Sequence, residues 1–507
     1  MKCTDFSVWT VSCLERIHPD DGQCGDANIE LFAARGEYTA FQVIVSAGET
    51  ALTNASITVT DLTGENVISS SNMTLYREHY VYLGTTSHAR GDVVLPRGVG
   101  WYPDALIPFV DPVTNAPPTG GKYGASPFDV EPGKNQPIWI DIFVPRCAKA
   151  GEYAGEYKLT CDQGEATGRI SFTVWDFELP VKPSLRSVFL VWHQNRHAVD
   201  EIMKHRLMAD RWNLGSAEEK SSYADEEQEL IDEFGLTSVG LGFWSEADIH
   251  HAVMKPPPSV EEIKAAASRH HPELIIHNYT ADEICDYPEL HEPIREWARN
   301  LHEAGVKNLI VMTPTPLLFD DGEGRPVVDI FVVLPVQDVR SRDAVLKAQE
   351  LGCEVWSYNT CVQDEYSPKW QLDYDLINYR IHGGFLNQAV GLTGLLYWRV
   401  DNWKEDPWKC IYWMCDDLDF NADGILIYPG EPAGLAGVAP SMRLKALRDS
   451  VQDYEYIQLL KNLGHGDWAL ETCREAGEDW KNWTKDPEVL LKVRKLLGDK
   501  LNELRGK

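Results

Sequence analysis

The sequence has no long apolar run, since no stretch approaches the roughly 18–20 residues that a helix needs to cross a bilayer. Residues 1–21 contain Asp, Thr and Glu where a secretion signal is continuously apolar, so we expect a cytoplasmic protein, or a secreted one that has lost its leader. Positive charge is also scarce, because 47 Lys+Arg against 78 Asp+Glu give a net charge of −31. Such a surface repels phosphate backbones and anionic lipid heads, so we expect neither nucleic acid nor a membrane as a partner.

Motifs for metals, nucleotides and disulfide scaffolds are missing as well. The 11 cysteines are odd in number and contain no Cys-x-x-Cys pair, which disfavours a zinc ribbon and indicates thiols in a reducing compartment. No His-Glu-x-x-His, EF-hand, P-loop or Gly-x-Gly-x-x-Gly motif follows a predicted strand. We therefore expect neither a metal nor a cofactor.

The first third of the chain is patterned as strands. Segments such as 28–47, 136–145 and 166–177 alternate apolar with polar residues and are rich in Val, Ile, Thr and aromatic residues. Regularly spaced strands without long helices predict an antiparallel β-sandwich over residues 1–180. The segment 85–135 is rich in Pro and Gly, and we expect a long ordered loop there.

The pattern changes at residues 178–184, where two prolines interrupt it. Short apolar runs then alternate with helical stretches, which predicts a TIM-type (β/α)8 barrel over 181–462, followed by a C-terminal helical extension over 463–507. A doubly wound open sheet is the alternative topology. The eight apolar runs are 187–192, 236–244, 273–279, 307–313, 328–334, 353–359, 394–400 and 424–429.

Aromatic, acidic and amide residues follow several of these runs, at the end of a barrel where functional side chains lie. Flat rings provide an apolar platform for the C–H face of a sugar, while carboxylates, amides and imidazoles bind its hydroxyls. The alternative for the aromatic residues is packing within the barrel core. The candidates for substrate binding are His193, His277, Tyr358, Tyr397, Trp398, Asp401 and Trp403.

The strongest candidates for catalysis are the adjacent carboxylates Asp282 and Glu283, which follow the run 273–279. Glycoside cleavage needs one carboxylic acid to protonate the leaving oxygen and a second negative group to stabilise the cationic centre. Two neighbouring carboxylates repel each other, so one of the two pKa values rises and that group stays protonated. The alternative is that both merely begin the next helix, whose positive end favours acidic residues.

Three further segments carry a resemblance to a known family. The run YPGEPAGLAGVAPSMRLKALRDSVQDYEYIQLL (428–460) combines a Tyr-Pro-Gly turn, a Ser-x-Arg step and an Arg-Asp-x-x-x-Asp-Tyr-Glu-Tyr helix. The run GLLYWRVDNWKEDPW (394–408) precedes it, and 75–81, 102–109 and 135–145 lie upstream in the expected order. Together these segments resemble glycoside hydrolase family 123 over nearly the whole chain.

The resemblance implies a β-N-acetylgalactosaminidase that has a β-sandwich before a TIM barrel and works by substrate-assisted retention. It implies that Glu283 is the general acid/base. Asp282 then orients the 2-acetamido group of the substrate, whose carbonyl oxygen attacks C1 to form an oxazoline. The family motif usually continues Asp-Glu-Pro, whereas here Ile284 follows Glu283. This departure bears on substrate identity more than on the class of reaction.

Two other functions remain open from the sequence. One is a glycosidase for a different sugar, with Asp401 or Asp364 as its second carboxylate. The other is a carbohydrate-binding relative without activity. The charged residues of the C-terminal motif lie on a predicted helix, where we expect them to be structural. These residues are Arg443, Arg448, Asp449 and Asp453.

Overall fold

The computed structural model describes residues 6–193, 195–211, 222–284, 287–361, 364–415 and 417–505. The N-terminal part is built from strands. They are β1 (Phe6–Ser12), β2 (Ile29–Arg35), β3 (Tyr38–Ala47), β4 (Leu52–Val59), β5 (Leu62–Thr63), β6 (Val67–Ile68), β7 (Met73–Leu83), β8 (Gly100–Pro108), β9 (Phe128–Val130), β10 (Asn135–Phe143), β11 (Gly151–Cys161) and β12 (Gly164–Glu178).

These strands form two sheets that enclose one core. The first has the order β1-β3-β10-β7-β8, and the second the order β2-β12-β11-β4-β9, with β5 paired to β11 and β6 paired to β5. Apolar residues of both sheets pack together, as in the contact between Phe41 and Tyr157, whose ring centroids are 6.4 Å apart. The expected loop 85–135 is wrong in part, because β8 and β9 lie within it. Both pair with regular strands despite the surrounding Pro and Gly.

The second part contains a parallel sheet of eight strands. They are β13 (Arg186–Val191), β14 (Ala209–Arg211), β15 (Ser238–Gly240), β16 (Ile275–Ala281), β17 (Lys307–Val311), β18 (Ile330–Val333), β19 (Glu354–Tyr358) and β20 (Gly394–Tyr397). The order is β14-β13-β20-β19-β18-β17-β16-β15. Because β14 and β15 lie side by side, the sheet is a nearly closed barrel.

One predicted barrel strand is wrong. The run 424–429 contains β23 (Ile427–Pro429), which pairs antiparallel with β24 (Val438–Pro440) outside the barrel. The second barrel strand is instead β14, within a stretch that has a helical pattern. The sequence does not mark β14, because it has three residues, two of them charged, and follows a helix closely.

The helices are α1 (Arg196–Lys204), α2 (Ala224–Phe234), α3 (Val260–Ala267), α4 (His291–Glu303), α5 (Pro335–Arg340), α6 (Arg342–Glu350), α7 (Ile377–Ile381), α8 (Asn387–Val390), α9 (Met442–Asn462), α10 (Gly466–Cys473) and α11 (Pro487–Arg505). A π-helical turn, His382–Leu386, joins α7 to α8. A short hairpin, β21 (Met414–Cys415) and β22 (Leu418–Asp419), lies in the loop after β20. Within the described ranges, no helix has the length and apolar composition of a bilayer span.

The barrel interior is filled by side chains rather than open. Trp356 of β19 lies in this interior cluster and is 1% exposed. Its ring occupies the space beside Gly394 of β20, where a Cβ atom would lie 2.4 Å from the indole. The absence of a side chain at residue 394 therefore lets the tryptophan close the barrel core.

Helix α9 joins the N-terminal sheets to the barrel through buried ion pairs. Arg443 donates from Nε and Nη2 to the carboxylate of Asp104 on β8, at 2.9 and 2.8 Å. Arg448 donates to Asp141 on β10 at 2.7 Å, and Lys445 donates to the same carboxylate at 2.9 Å. The motif residues on α9 are therefore structural, since Arg443 and Arg448 pair between domains, and Arg448 also pairs with Asp449 of the same helix at 3.0 Å.

A second group of ion pairs ties the barrel to the C-terminal helix. Arg380 of α7 donates to both oxygens of Asp453 at 2.7 and 3.0 Å. Arg494 of α11 lies 3.0 Å from the same carboxylate and also pairs with Glu37, which lies between β2 and β3. Since Asp453 and Glu37 are fully buried, their charges depend on these arginines.

We predict that Arg443→Met destabilises the protein by about 3–5 kcal/mol, because Asp104 then remains buried with an incompletely paired charge. Urea unfolding followed by circular dichroism measures the change. The control is Arg474→Met, which breaks an exposed pair with Glu471 and is expected to change stability by less than about 0.5 kcal/mol. Equal effects of the two substitutions would contradict a structural role for the buried pair.

Candidate active site

The two adjacent carboxylates lie at the C-terminal end of β16, the fourth strand of the barrel. The strand has an irregular register between Tyr279 and Ala281, and Glu283 then takes a left-handed backbone conformation with φ of 49°. This conformation is unfavourable for a residue with a side chain, and such strain is common at functional sites. Glu283 is exposed, Asp282 is half-buried and Ile284 is buried in the core. The turn thus holds consecutive side chains in different environments.

The electrostatics of the pair differ between its members. Burial, and then the charge of Glu283, raise the pKa of Asp282 to about 7, although the Tyr279 hydroxyl hydrogen-bonds its carboxylate. Although the residue as a whole is exposed, neighbouring atoms that displace water from its carboxylate also raise the pKa of Glu283. Interacting carboxylates titrate as a pair, so this pair keeps a proton to higher pH than isolated carboxyl groups do. Among the described residues, none donates a hydrogen bond to the buried Oδ1 of Asp282.

Aromatic side chains surround the carboxylates at the top of the barrel interior. Trp244 packs edge-to-face on Tyr279 with ring centroids 5.7 Å apart. Tyr358 and Trp398 belong to the same cluster of barrel-lining residues. Burial, followed by the charges of Asp282 and Glu283, raises the pKa of Tyr358 well above its usual range. Tyr358 therefore keeps its proton and can donate a hydrogen bond beside the carboxylates.

Trp398 and Tyr397 lie on opposite faces of the strand end, as successive strand residues do. Trp398 is half-buried at the barrel mouth, with its ring 6.4 Å from that of Trp192 and 5.5 Å from that of Trp413. Tyr397 is fully buried, and its hydroxyl donates to Asp423 at 2.9 Å. Trp398 thus faces the site, whereas Tyr397 packs behind it.

His193 and Trp403 form a second ring pair at the mouth. Their rings are stacked, with centroids 4.9 Å apart and an interplanar angle of 14°, and His193 is exposed. Asp401 is fully buried and accepts the backbone N–H of His193 at 2.8 Å and that of Trp192 at 3.1 Å. The Nε of Arg399 also donates to it at 3.2 Å. Asp401 therefore holds the loop that presents His193.

His277 lies deeper in the barrel than the aromatic residues, two residues before Tyr279 on the same face of β16. It is 1% exposed, and its Nε2 is 3.1 Å from Oδ2 of Asp210 on β14. Gly240 of β15 leaves the space that Asp210 occupies, since a Cβ there would be 2.4 Å from the carboxylate. The structure does not bring His277 to the mouth with His193 and Trp398.

The carboxylates considered as alternatives are occupied by other partners. Asp364 pairs with the buried Lys369 at 2.9 Å and accepts the Ser367 hydroxyl at 2.8 Å. Lys369 and Ser367 also line a small cavity beside Tyr358. Asp401 is surrounded by donors, as described above. Neither carboxylate is arranged as a second catalytic group next to Glu283.

Three residues of the site were missing from the sequence candidates. Tyr279 could have been identified, because it alternates with His277 on the predicted strand. Trp244 ends a predicted apolar run but was not distinguished from core residues. Asp423 gave no signal, since Asn-Ala-Asp-Gly is typical of an ordinary turn.

Among the described residues, neither a metal-binding group nor the cavity of about 650 Å³ marks the site. Across the described part of the chain, no group of three or more His, Cys, Asp or Glu side chains is arranged to hold a metal ion. A cavity of about 650 Å³ lies between β1, β2, β3, α9 and α11, and neither Asp282 nor Glu283 lines it. The position of the carboxylates at the barrel mouth is what marks this end as functional.

Two family models match the chain. The glycoside hydrolase 123 N-terminal domain matches residues 15–161, and the glycoside hydrolase 123 catalytic domain matches residues 281–460. The second match begins one residue before Asp282. No curated protein sequence matches the chain.

Among solved structures, a family 123 glycoside hydrolase from Clostridium perfringens, studied for glycolipid glycan hydrolysis, has 15% identity and a TM-score of 0.70, covering 99% of this chain and 98% of its own. A xylanase with an Ig-like domain from termite gut has 8% identity and a TM-score of 0.30, covering 85% and 100%. An endo-β-1,4-mannanase from Thermotoga petrophila has 11% identity and a TM-score of 0.31, covering 54% and 77%. Only the first resembles the whole fold. Because both family models match in order and this fold agrees from end to end, the chain belongs to glycoside hydrolase family 123.

Proposed function

We propose that this glycoside hydrolase removes a terminal β-linked N-acetylgalactosamine from a glycan with retention of configuration, using the acetamido group of the substrate as nucleophile. The observation that carries the proposal is the Asp282–Glu283 pair at the end of β16, with one carboxylate half-buried and the other exposed. A retaining enzyme with its own nucleophile places two carboxyl groups roughly 5–5.5 Å apart on either side of the bond. Consecutive residues of one turn approach a sugar from the same side, which favours a nucleophile on the substrate.

In the first step, Glu283 gives its proton to the glycosidic oxygen as the bond to C1 breaks. The exposure of Glu283 suits this role, because the leaving group extends towards solvent. The acetamido carbonyl oxygen attacks C1 and forms an oxazoline. Water then attacks C1 while Glu283 takes a proton from that water. The oxazoline ring opens, and the configuration at C1 is retained.

Asp282 acts on the acetamido group rather than on C1. Its buried Oδ1 is an acceptor for the acetamido N–H, and this hydrogen bond makes the carbonyl oxygen more nucleophilic. The bond favours the ionised form of Asp282, so the single proton of the pair resides on Glu283 when substrate is bound. The hydroxyl of Tyr358 donates to the acetamido oxygen from the end of β19, across the barrel mouth.

Some of the remaining candidate residues contact the sugar, and the others position those residues. Trp398 and Trp403 provide platforms for the sugar, and His193, stacked on Trp403, binds a hydroxyl. Tyr397, Asp401 and His277 are buried, so they position the contacting residues rather than reach the glycan themselves. Tyr397 is held by its hydrogen bond to Asp423, and Asp401 by the two backbone N–H groups that donate to it. His277 is held by its contact with Asp210.

We predict that Glu283→Gln lowers turnover of a β-N-acetylgalactosaminyl disaccharide by about 10²–10⁴-fold, because an amide cannot protonate a poor leaving group. Nitrophenyl glycosides should lose less, since their leaving group needs little protonation. The matched control is Glu289→Gln, an exposed carboxylate six residues later, which should keep wild-type rates. A disaccharide rate equal to that of the wild type would exclude Glu283 as the acid.

We predict that kcat/KM decreases as the pH rises through about 7, because the raised pKa means that the pair loses its last proton there. Asp282→Asn removes the negative charge beside Glu283 and thereby lowers the pKa of Glu283. The decrease in kcat/KM should therefore begin at lower pH, and the maximal rate should also fall. Kinetics from pH 4 to 9 measure both effects, with melting temperatures at each pH as the control for folding. An unchanged alkaline limb in Asp282→Asn would contradict the coupling of the two groups.

We predict that a thiazoline mimic of the oxazoline inhibits strongly and that β-galactosides without the acetamido group are not hydrolysed. The mimic has the bicyclic shape of the intermediate, and an enzyme binds such species more tightly than substrate. Inhibition constants and rates on aryl β-GalNAc, β-GlcNAc and β-galactoside substrates provide the measurement. Hydrolysis of the plain galactoside without thiazoline inhibition would favour a different sugar and a protein nucleophile, and binding without hydrolysis would indicate a lectin-like relative.

A further inference from the structure

Asp423 lies in the turn between the hairpin β21–β22 and β23, and it accepts hydrogen bonds from two neighbouring strand ends. Oδ1 accepts the Tyr397 hydroxyl at 2.9 Å and the indole N–H of Trp398 at 3.4 Å. Oδ2 accepts the Thr360 hydroxyl and the backbone N–H of Cys361, both at 3.2 Å. The carboxylate therefore joins the end of β20 to the turn that follows β19.

The charge of Asp423 has no cationic partner. Its side chain is fully buried, and among the described residues no Lys, Arg or His forms an ion pair with it. Burial raises its pKa accordingly. A buried carboxylate with four N–H and O–H donors, a thiol 3.8 Å away and no cation costs more free energy than a neutral side chain that only packs, so its presence needs another reason.

The turn around Asp423 is fitted to the Trp398 ring. Gly424 has φ of 78°, and a Cβ there would lie 2.6 Å from Cζ2 of Trp398. The N–H of Gly424 donates to the Tyr397 oxygen at 2.7 Å. The backbone thus packs directly against the ring whose N–H the preceding carboxylate holds.

Asp423 also reaches Tyr358 through one intermediate residue. Thr360 lies close enough to Tyr358 to lower the pKa of its phenol, and the Thr360 hydroxyl donates to Asp423. Trp398 and Tyr358 are the residues to which the proposed function assigns the sugar platform and the acetamido contact. Both therefore depend on the same carboxylate.

We propose that Asp423 is a positioning residue for the reaction. It holds the Trp398 ring and the Thr360–Cys361 turn, and so fixes the sugar platform and the residue that contacts the acetamido group, Tyr358, relative to each other. This inference rests on the proposed function for its kinetic consequences. This role requires side-chain oxygens that accept all four N–H and O–H hydrogen bonds. Asparagine keeps the size of the side chain but turns one acceptor into a donor, which opposes the N–H and O–H groups that point at it.

The test compares Asp423→Asn with a matched control, Asp373→Asn, in a double-mutant cycle with Trp398→Phe. Asp373 is also fully buried without an ion pair in the described part of the chain, but it accepts from Ser87 and touches neither Trp398 nor Thr360. Phenylalanine at 398 keeps a ring and removes the N–H. Values of kcat and KM on aryl β-GalNAc, melting temperatures and crystal structures of each variant are measured.

We expect Asp423→Asn to lower kcat/KM by about 10–100-fold, as a small displacement of positioned groups does, while Asp373→Asn stays within about twofold. In the Trp398→Phe background the same substitution should cost clearly less, because one of its bonds is already absent. The loss should remain at temperatures where both variants are folded. Equal kinetics of Asp423→Asn and wild type, or full additivity with Trp398→Phe, would overturn the inference.

The crystal structures separate this inference from the proposed function. If the wild type hydrolyses no hexosaminide, the proposed function fails, and the variant structure alone decides the positioning role. A Trp398 ring and Thr360–Cys361 turn displaced in Asp423→Asn and unmoved in Asp373→Asn support it. An unchanged ring and turn in Asp423→Asn would refute it, whatever the substrate proves to be.

Discussion

The buried ion pairs of α9 are the interaction on which the rest of the structure depends. They fix one helix against the N-terminal sheets, through Arg443 with Asp104 and Arg448 with Asp141, and against the barrel part, through Asp453 with Arg380 of α7. Apolar packing between domains tolerates sliding, whereas a buried charge must meet its partner in one register or remain unpaired. The conspicuous charges of the C-terminal motif therefore define the relative position of the two domains. They carry much of the family resemblance, and among the described contacts none of them pairs with Asp282 or Glu283.

At the barrel mouth, the defining feature is a pair of adjacent carboxylates that differ in burial. Asp282 and Glu283 share one turn, yet the first is held against Tyr279 and the second is exposed. Unequal burial of two neighbouring carboxylates separates their pKa values, and the proposed function uses this difference to assign an acid role to one and an amide-binding role to the other. The left-handed conformation of Glu283 is the backbone cost of that separation.

The sequence predicted elements whose patterns are local and missed those that depend on tertiary contacts. The acidic pair was recognisable, because it follows a long apolar strand, and the N-terminal strands show clear alternation. Strand β14 is too short for periodicity, and the run 424–429 has the composition of a barrel strand but forms a hairpin with 438–440. Asp423 is the clearest failure at the site, because its four donors come from residues 25–63 positions away. No local pattern records such a set of contacts.

Ile284, where the family usually has proline, places its side chain in the main hydrophobic core directly after the acidic pair. The backbone of Glu283 is consequently anchored on its C-terminal side by apolar burial rather than by a rigid ring. Proline restrains a chain by limiting its own torsion, while a buried isoleucine restrains it by what surrounds it. In this chain the turn that carries the acidic pair is thus restrained by the packing of the barrel core around Ile284.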